Sequence, residues 1–350
     1  MSNKPPIEVP QGAIRLNTDT QKLEFYAQDR WHEMATHIHE LNGGGRGLMA
    51  GDNPTSNEIE YITIPTAGNG IDFGDMTRNS FLGGSGSSRT RAVMMGGDAG
   101  PGGRVADIDF VNMLSTGNAS DFGDMTKTAG GMGGSSNQTR GIIVHGFGGD
   151  PSAAFTNSAD FVTIATTGNA LDFGDSTQSR IQSSHFASPT RAIQAGGGTP
   201  SSVNTIDYYI ISTQGNAADF GDTVGGFASH GHGAGGNAVR GVMMGGASYP
   251  SLNPNQNNYN VIQYVTMSTL GNALDFGDLT VQNRGQSCGL SNSLRVACAG
   301  GATDGSANTV TNAIEYVQIM TTGNTTDFGD MTANTLRSQG CCGDSHGGLT

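Results

Sequence analysis

Lysine is nearly missing from this chain: Lys4, Lys22 and Lys127 are the only three in 350 residues, and the formal net charge is −13. A nucleic-acid backbone attracts the opposite balance, so nucleic acid is excluded as a partner. Long apolar runs are also absent. Nothing approaches the ~20 residues that span a bilayer, so membrane insertion is not expected. The opening segment MSNKPPIEVPQG has no apolar core of the kind a secretory signal needs. Cysteine is sparse: Cys288, Cys298, Cys341 and Cys342 show no CxxC zinc spacing, and the vicinal pair cannot easily bridge to itself. Free thiols in a reducing cytosol are the expectation. Tryptophan occurs once, as Trp31.

Glycine, by contrast, is abundant, with 56 residues, more than twice the usual share of roughly 7%. Much of it falls in a repeat. The octet GN-x-x-DFGD begins at Gly68, Gly117, Gly168, Gly215, Gly271 and Gly323, with spacings of 49, 51, 47, 56 and 52 residues. Two further elements keep its phase. A β-branched and aromatic run precedes each octet: IEYITI, IDFVNM, ADFVTI, IDYYII, IQYVTM and IEYVQI. Apolar residues on both faces of these runs suit a sheet held between two neighbouring sheets. An arginine followed by a short apolar run and glycine recurs from Arg46, Arg91, Arg140, Arg191, Arg240 and Arg295.

A fourth strand fits between each DFGD and the next arginine. Four short strands per ~50 residues predict an all-β, six-bladed β-propeller over residues 46–350. The last repeat lacks its arginine element and the spare copy stands at Arg46, so strands from the N- and C-terminal ends close the ring and remove its open edges. Residues 1–35 differ in kind. IRLN, KLEFY and RW, parted by turns, read as a small β-meander attachment module too short to be stable alone. Residues 36–45 read as a glycine-rich hinge.

Two resemblances follow from these motifs. The order of arginine, apolar run, double glycine and aromatic is similar to kelch repeats, although their tryptophan is replaced here by the DFGD phenylalanine; only architecture is implied. Gly12, Ile14, Arg15, Asn17, Thr18, Asp19, Thr20, Lys22, Leu23, Glu24, Tyr26 and Trp31 resemble an element of bacteriophage virion proteins, especially fibres of cyanophages and other marine phages. The glycine-rich repeats are similar to those of marine-phage tail proteins. The resemblance implies a virion protein, assembled in host cytoplasm and held to other virion proteins by its N-terminal module. A tail fibre or receptor-binding role, facing a host glycan or protein, is the first expectation. A capsid-decorating or vertex fibre is the second, and a propeller glycosidase the third. A homo-oligomer is expected, with a trimer favoured as in viral fibres.

DFG is also a kinase tripeptide, but no phosphate loop, VAIK lysine or HRD accompanies it. A calcium loop needs more oxygens in sequence than the octet offers. The structural reading accounts for each letter. Gly-Asn suits a tight turn, the first Asp an Asx turn, the second Gly a bulge and the last Asp a closing turn. Phe73, Phe122, Phe173, Phe220, Phe276 and Phe328 become one core anchor per repeat. The repeat arginines are expected to bond DFGD aspartates of a neighbouring unit.

His37 and His39 form a His-x-His pair that could offer two imidazoles to a metal near an oligomer axis; His230 and His232 form a second pair. No cofactor is expected. No GxSxG or HExxH occurs, and acidic pairs recurring in register are unlike a single glycosidase dyad, so the chain reads as a non-enzyme. A ligand site is expected where the repeats differ. The longest departure is ASYPSLNPNQNNYN, with Tyr249, Asn255, Gln256, Asn258 and Tyr259 suited to sugar recognition.

Overall fold

The structure is a computed structural model that describes residues 9–17, 22–33, 45–52, 56–100, 103–148, 154–199, 201–224, 233–247, 259–280, 287–303, 309–333 and 340–349. It is all-β, built from four-stranded antiparallel sheets, one three-stranded sheet and one two-stranded sheet. The chain divides into two compact units, Met1–Asn42 and Gly43–Thr350.

The N-terminal unit pairs Ile14–Asn17 with Lys22–Ala27, and Lys22–Ala27 with Arg30–Glu33. Gln28 and Asp29 both take positive φ, 51° and 58°, which is what a two-residue hairpin turn of the right twist requires. On one face Arg15 lies 4.1 Å over Trp31 and bonds Glu24 at 2.8 Å. Hydrogen bonds from Asn17 and Arg15 hold the Glu24 carboxyl below the usual range. Ile14, Leu16 and Leu23 are exposed.

Among the described residues the larger unit contains six four-stranded sheets and one two-stranded pairing, Ala129–Gly130 with Phe147–Gly148. Sheet one is made of Gly340–Gly343, Arg46–Ala50, Ser56–Thr63 and Ile71–Ser80, in that spatial order. Sheet two is Gly84–Ser87, Arg91–Asp98, Arg104–Asn112 and Ser120–Asp124, and sheet three Gly133–Ser136, Arg140–Val144, Ser158–Thr163 and Leu171–Asp175. Sheet four is Ser184–Ala187, Arg191–Ala195, Thr205–Ile210 and Ala218–Asp222. Sheet five is Gly233–Gly236, Arg240–Met244, Val261–Thr266 and Leu274–Asp278. Sheet six is Cys288–Ser291, Arg295–Ala299, Ala313–Gln318 and Thr326–Asp330. Sheet one alone takes strands from both ends of the unit, pairing Cys341 with Met49 and Gly343 with Gly47.

First strands touch in cyclic order: each meets the next from sheet one to sheet six, and that of sheet six meets that of sheet one. Their glycines and serines permit this approach. A Cβ on Gly134 would collide with the Ser85 backbone, and one on Gly289 with that of Ala234. Apolar side chains fill the six spaces between neighbouring sheets, including that between sheets six and one, where Met49, Ile62 and Ile64 pack on Leu290, Ile314 and Phe328. Each sheet therefore buries both faces, and this is why the third strands are apolar on both sides. Fourth strands shift register by one residue at DFG, a bulge at the second glycine of the octet.

Two expectations are corrected. Cys288 and Cys341 form a disulfide, with Cα atoms 5.9 Å apart. The cyclic order brings first strands of sheets six and one together, and these two cysteines face each other there. Cys298 and Cys342 are free and buried. The repeat arginines do not bond aspartates. Each lies 4.5–5.0 Å over the aromatic ring of its own third strand, such as Arg46 over Tyr61 and Arg191 over Tyr208. Each Nη1 then donates to a carbonyl of the next sheet: Arg46 to Met113, Arg91 to Ile164, Arg140 to Ile211, Arg191 to Met267, Arg240 to Ile319 and Arg295 to Ile64, at 2.9–3.2 Å. The DFGD aspartates stand too far along the outer strand for this reach, and the first of each pair is exposed.

Candidate functional site

The recurring polar residues are largely occupied in holding sheets together. Every octet reaches back to the sheet before it. Gly68, Gly117, Gly168, Gly215, Gly271 and Gly323 each donate N–H to the preceding DFGD phenylalanine carbonyl at 2.8–2.9 Å. The octet asparagine accepts in return, Asn118 from Asp75 N–H at 3.2 Å and Asn216 from Asp175 N–H at 3.1 Å, and likewise at the other four joints. The second glycine lies against this latch. Gly174 has φ +144°, and a Cβ there would fall 2.5 Å from Gly215 O, so both geometry and space require glycine. The phenylalanine between is 2–3% exposed in all six repeats and meets a third-strand ring edge to face at 5.8–6.1 Å.

A second joint was not anticipated from the sequence. The third strands each bury a polar side chain at the same position: Glu60, Asp109, Asp160, Asp207, Gln263 and Glu315 are 0–6% exposed. Each accepts from the residue two positions past the DFGD of the preceding sheet. Thr77 N–H reaches Asp109 at 3.0 Å, Thr126 Asp160 at 2.8 Å, Thr177 Asp207 at 3.2 Å, Val224 Gln263 at 2.8 Å and Thr332 Glu60 at 2.9 Å. Thr280 Oγ1 donates to Glu315. Its signal in the sequence is the polar letter that stands second in IEYITI, IDFVNM and their sisters.

Three of these carboxylates meet a basic side chain. Arg78 Nη1 is 3.2 Å from Asp109, His145 Nε2 3.0 Å from Asp160 and Arg180 Nη2 2.6 Å from Asp207. Burial acts to raise the Asp160 carboxyl, but hydrogen bonds from His145 and Thr126 outweigh it and hold it low. Burial pulls the Arg180 guanidinium down. The joint with a neutral acceptor, Gln263, follows a segment, residues 223–239, that contains no Arg or Lys. Arg78 lies in, and Arg180 follows, the fourth strand of the preceding sheet, so these two charges are matched across the joint, whereas His145 follows the second strand of Asp160's own sheet.

With these residues committed, the two edges of the six sheets differ sharply. At one edge, first strands lead to second strands through residues 88–90, 137–139, 188–190, 237–239 and 292–294, three residues each. Third strands lead to fourth at the same edge through residues 64–70, 113–119, 164–170, 211–217, 267–273 and 319–325, seven each. At the opposite edge the connections 51–55, 99–103, 145–157, 196–204, 245–260 and 300–312 run from five to sixteen residues. Those from fourth to first strands, such as 81–83 and 223–232, vary as well.

Both ends of the larger unit lie at the constant edge. Gly45 and Arg46 face Asp344, whose carboxyl accepts from both backbone N–H groups, while burial pushes its pKa up. Beyond it, Gly347–Leu349 is a buried 3-10 turn tied by Arg89 Nη2 to Leu349 O at 2.8 Å. His346 Nδ1 accepts from Gly348 N–H at 3.0 Å, so the imidazole proton sits on Nε2, beside Ser136 Oγ and Ser87 O. Burial pushes His346 down to about 4. The first strands and this turn enclose a cavity of about 40 Å³, space for a few waters and no organic ligand.

Of the expected ligand residues, Tyr259 lies on the variable edge, half-buried, its N–H bonded to Gly246 O at 2.8 Å. Tyr249, Asn255, Gln256 and Asn258 lie outside the described residues, as do His37, His39, His230 and His232. Among the described residues no three of His, Cys, Asp or Glu gather as a metal site. Set against known proteins, the chain matches no family model and no curated protein.

Proposed function

We propose that residues 46–350 form a six-bladed β-propeller, each sheet a blade, and that the chain is a structural protein of a bacteriophage virion: a tail fibre or receptor-binding protein. In this reading the N-terminal module joins the particle and the propeller displays loops to the host surface. The observation that carries it is the contrast between the two edges. The chain enters the sheets at Gly45, on the edge whose connections are constant in length, and the variable connections all leave from the other edge. A tethered display protein needs that polarity, because loops that recognise a surface must point away from the anchor. The cyclic contacts of first strands and the six inter-sheet latches support the propeller.

The test is competition. Purified chain is expected to reduce adsorption of the virions that carry it. Normal adsorption by virions lacking the protein would favour a capsid-decorating role instead. Release of reducing sugar from host polysaccharide, lost on changing one carboxylate, would favour a glycosidase.

A further inference from the structure

The six sheets are closed into a cycle at one seam. Sheets two to six are each made from one continuous stretch of chain, whereas sheet one joins Gly340–Gly343 to Arg46–Ala50 through four residue pairs. The closing strand reads Gly-Cys-Cys-Gly. It has no β-branched side chain and a glycine at each end, so its own letters specify its register weakly. Its neighbours grip it instead. From sheet two, Ser85 Oγ donates to Cys341 O at 3.1 Å and Ser87 Oγ to Gly343 O at 2.8 Å. From sheet six, Cys288 holds it through the disulfide to Cys341. That bond does not cross the seam; it pins the strand on one side of it.

Alternation along the strand decides which cysteine can reach. Cys341 faces the space between sheets six and one, with Cys288 and Leu290. Cys342 faces the other way, among Leu48, Met76 and Met94 between sheets one and two. A slip of one residue would exchange the two. Cys298 packs with Val242 and Phe276 between sheets five and six. Burial pushes the Cys342 thiol up to about 12, which leaves it without the thiolate that disulfide exchange requires. Cys288 and Cys341 therefore meet only when the closing strand is docked in register. Once joined they are shielded. Cys288 is 2% exposed, and Cys341 lines the cavity of about 40 Å³, which admits water and no organic thiol.

We propose that Cys288 and Cys341 are a redox-operated clasp on the closing strand, formed as the strand docks and out of reach of thiol reductants while it stays docked. The oxidant is a small disulfide of the glutathione class. The Cys341 thiolate, on the undocked strand, attacks one sulfur of glutathione disulfide and expels one glutathione thiolate. On docking, the Cys288 thiolate attacks the Cys341 sulfur of this mixed disulfide and expels the second. Two cysteine thiols are oxidised, glutathione disulfide is reduced to two glutathione thiols, and the two protons pass to them. In the reduced chain, hydrogen bonds and packing alone hold the strand, which opens locally. In the oxidised chain, opening must carry the first strand of sheet six with it. The clasp goes beyond the display reading and does not depend on it.

The experiment is hydrogen exchange on the full chain, read by mass spectrometry in two forms. One is oxidised with glutathione disulfide; the other is reduced in urea and refolded under dithiothreitol. Residues 340–349 should exchange at least about tenfold faster in the reduced form, and the third strands of sheets three and four no more than about twofold faster. Reduction of the oxidised native chain by glutathione should be slow, and should speed up with sub-denaturing urea in step with exchange of residues 340–349. Equal exchange in both forms, loss of protection in every sheet on reduction, or a reduction rate that urea leaves unchanged would overturn the proposal. The pairing rule has its own test. Cys341→Ser should leave Cys288, Cys298 and Cys342 all open to alkylation in denaturant without reductant, and a Cys288–Cys342 bond there would show that the strand slips. Both exchange measurements use the parent sequence, so neither depends on that variant folding.

Discussion

Replacing Arg180 by methionine removes the cation from the most buried of the inter-sheet joints. Arg180 and Asp207 side chains are both 0% exposed, with Nη2 2.6 Å from Oδ2. A second guanidinium nitrogen bonds Thr205 O at 2.8 Å. The variant leaves Asp207 with only Thr177 N–H and Oγ1 as partners. Removing one member of a buried pair costs about 3–5 kcal/mol, chiefly because the other charge stays buried without compensation. The joint between sheets four and five shows the remedy: Gln263 makes the same backbone contact, to Val224 N–H, without charge. Arg180→Met with Asp207→Gln should therefore recover most of the loss and lie within about 1 kcal/mol of the parent, since such pairs are often replaceable by neutral groups. The measurement is urea unfolding of the four members of the double-mutant cycle, read as midpoints at constant slope. If Arg180→Met costs under about 1 kcal/mol, or the double variant is no better than either single one, charge matching across joints is wrong.

Phe173→Ala should cost about 3–5 kcal/mol as truncation of a buried aromatic, against little change for exposed Asp172→Ala; equal losses would argue that the octet is not a core anchor. The disulfide spans 53 residues, so Cys288→Ser with Cys341→Ser should lower stability by about 4 kcal/mol on the chain-entropy account. Alkylation in denaturant without reductant should modify two cysteines, and four would refute the bond. His346 is held neutral at about 4, whereas the unfolded imidazole titrates near 6.5. The unfolded chain thus takes up the extra proton between those values, and stability falls by about 3 kcal/mol as pH drops from ~6.5 to ~4. Asp344, with its carboxyl pushed up, acts in the opposite sense, so the fall is read as the difference from His346→Gln. A difference that does not change with pH would contradict a buried neutral imidazole.

Much of this architecture is legible because a repeat turns six weak signals into one. A single IEYITI is an ambiguous apolar run; six in phase with RAVMMGG and GNALDFGD specify strands, their number per unit and the exchange of strands between the ends. The bulge at the octet's second glycine follows from the same reading. What the letters leave open is which neighbour each polar group meets. Arg191 could equally reach an aspartate or the Met267 carbonyl; only the position of its guanidinium over Tyr208 decides. Asp207 was hidden inside an apolar strand, where one polar letter reads as an interruption. The Cys288–Cys341 bond is illegible for a physical reason: residues 53 apart become neighbours only once the last sheet meets the first.

The same logic separates frame from site. In a cyclic repeat, the contacts that every joint shares must recur, because each joint is made by the same two strand types. The octet glycines, its asparagine, the arginine and the buried third-strand acceptor all obey this. A residue outside these shared contacts is free to differ, and a polar one that differs inside the packed region needs a partner of its own. Gln194 is such a residue. Met94 and Met243 fill its place in sister sheets with no amide to satisfy, so hydration or packing alone would favour methionine there. The Gln194 amide nitrogen finds its partner close by, donating to Ser183 Oγ at 2.9 Å, so the departure from methionine is matched by a second polar residue just before the first strand of the same sheet.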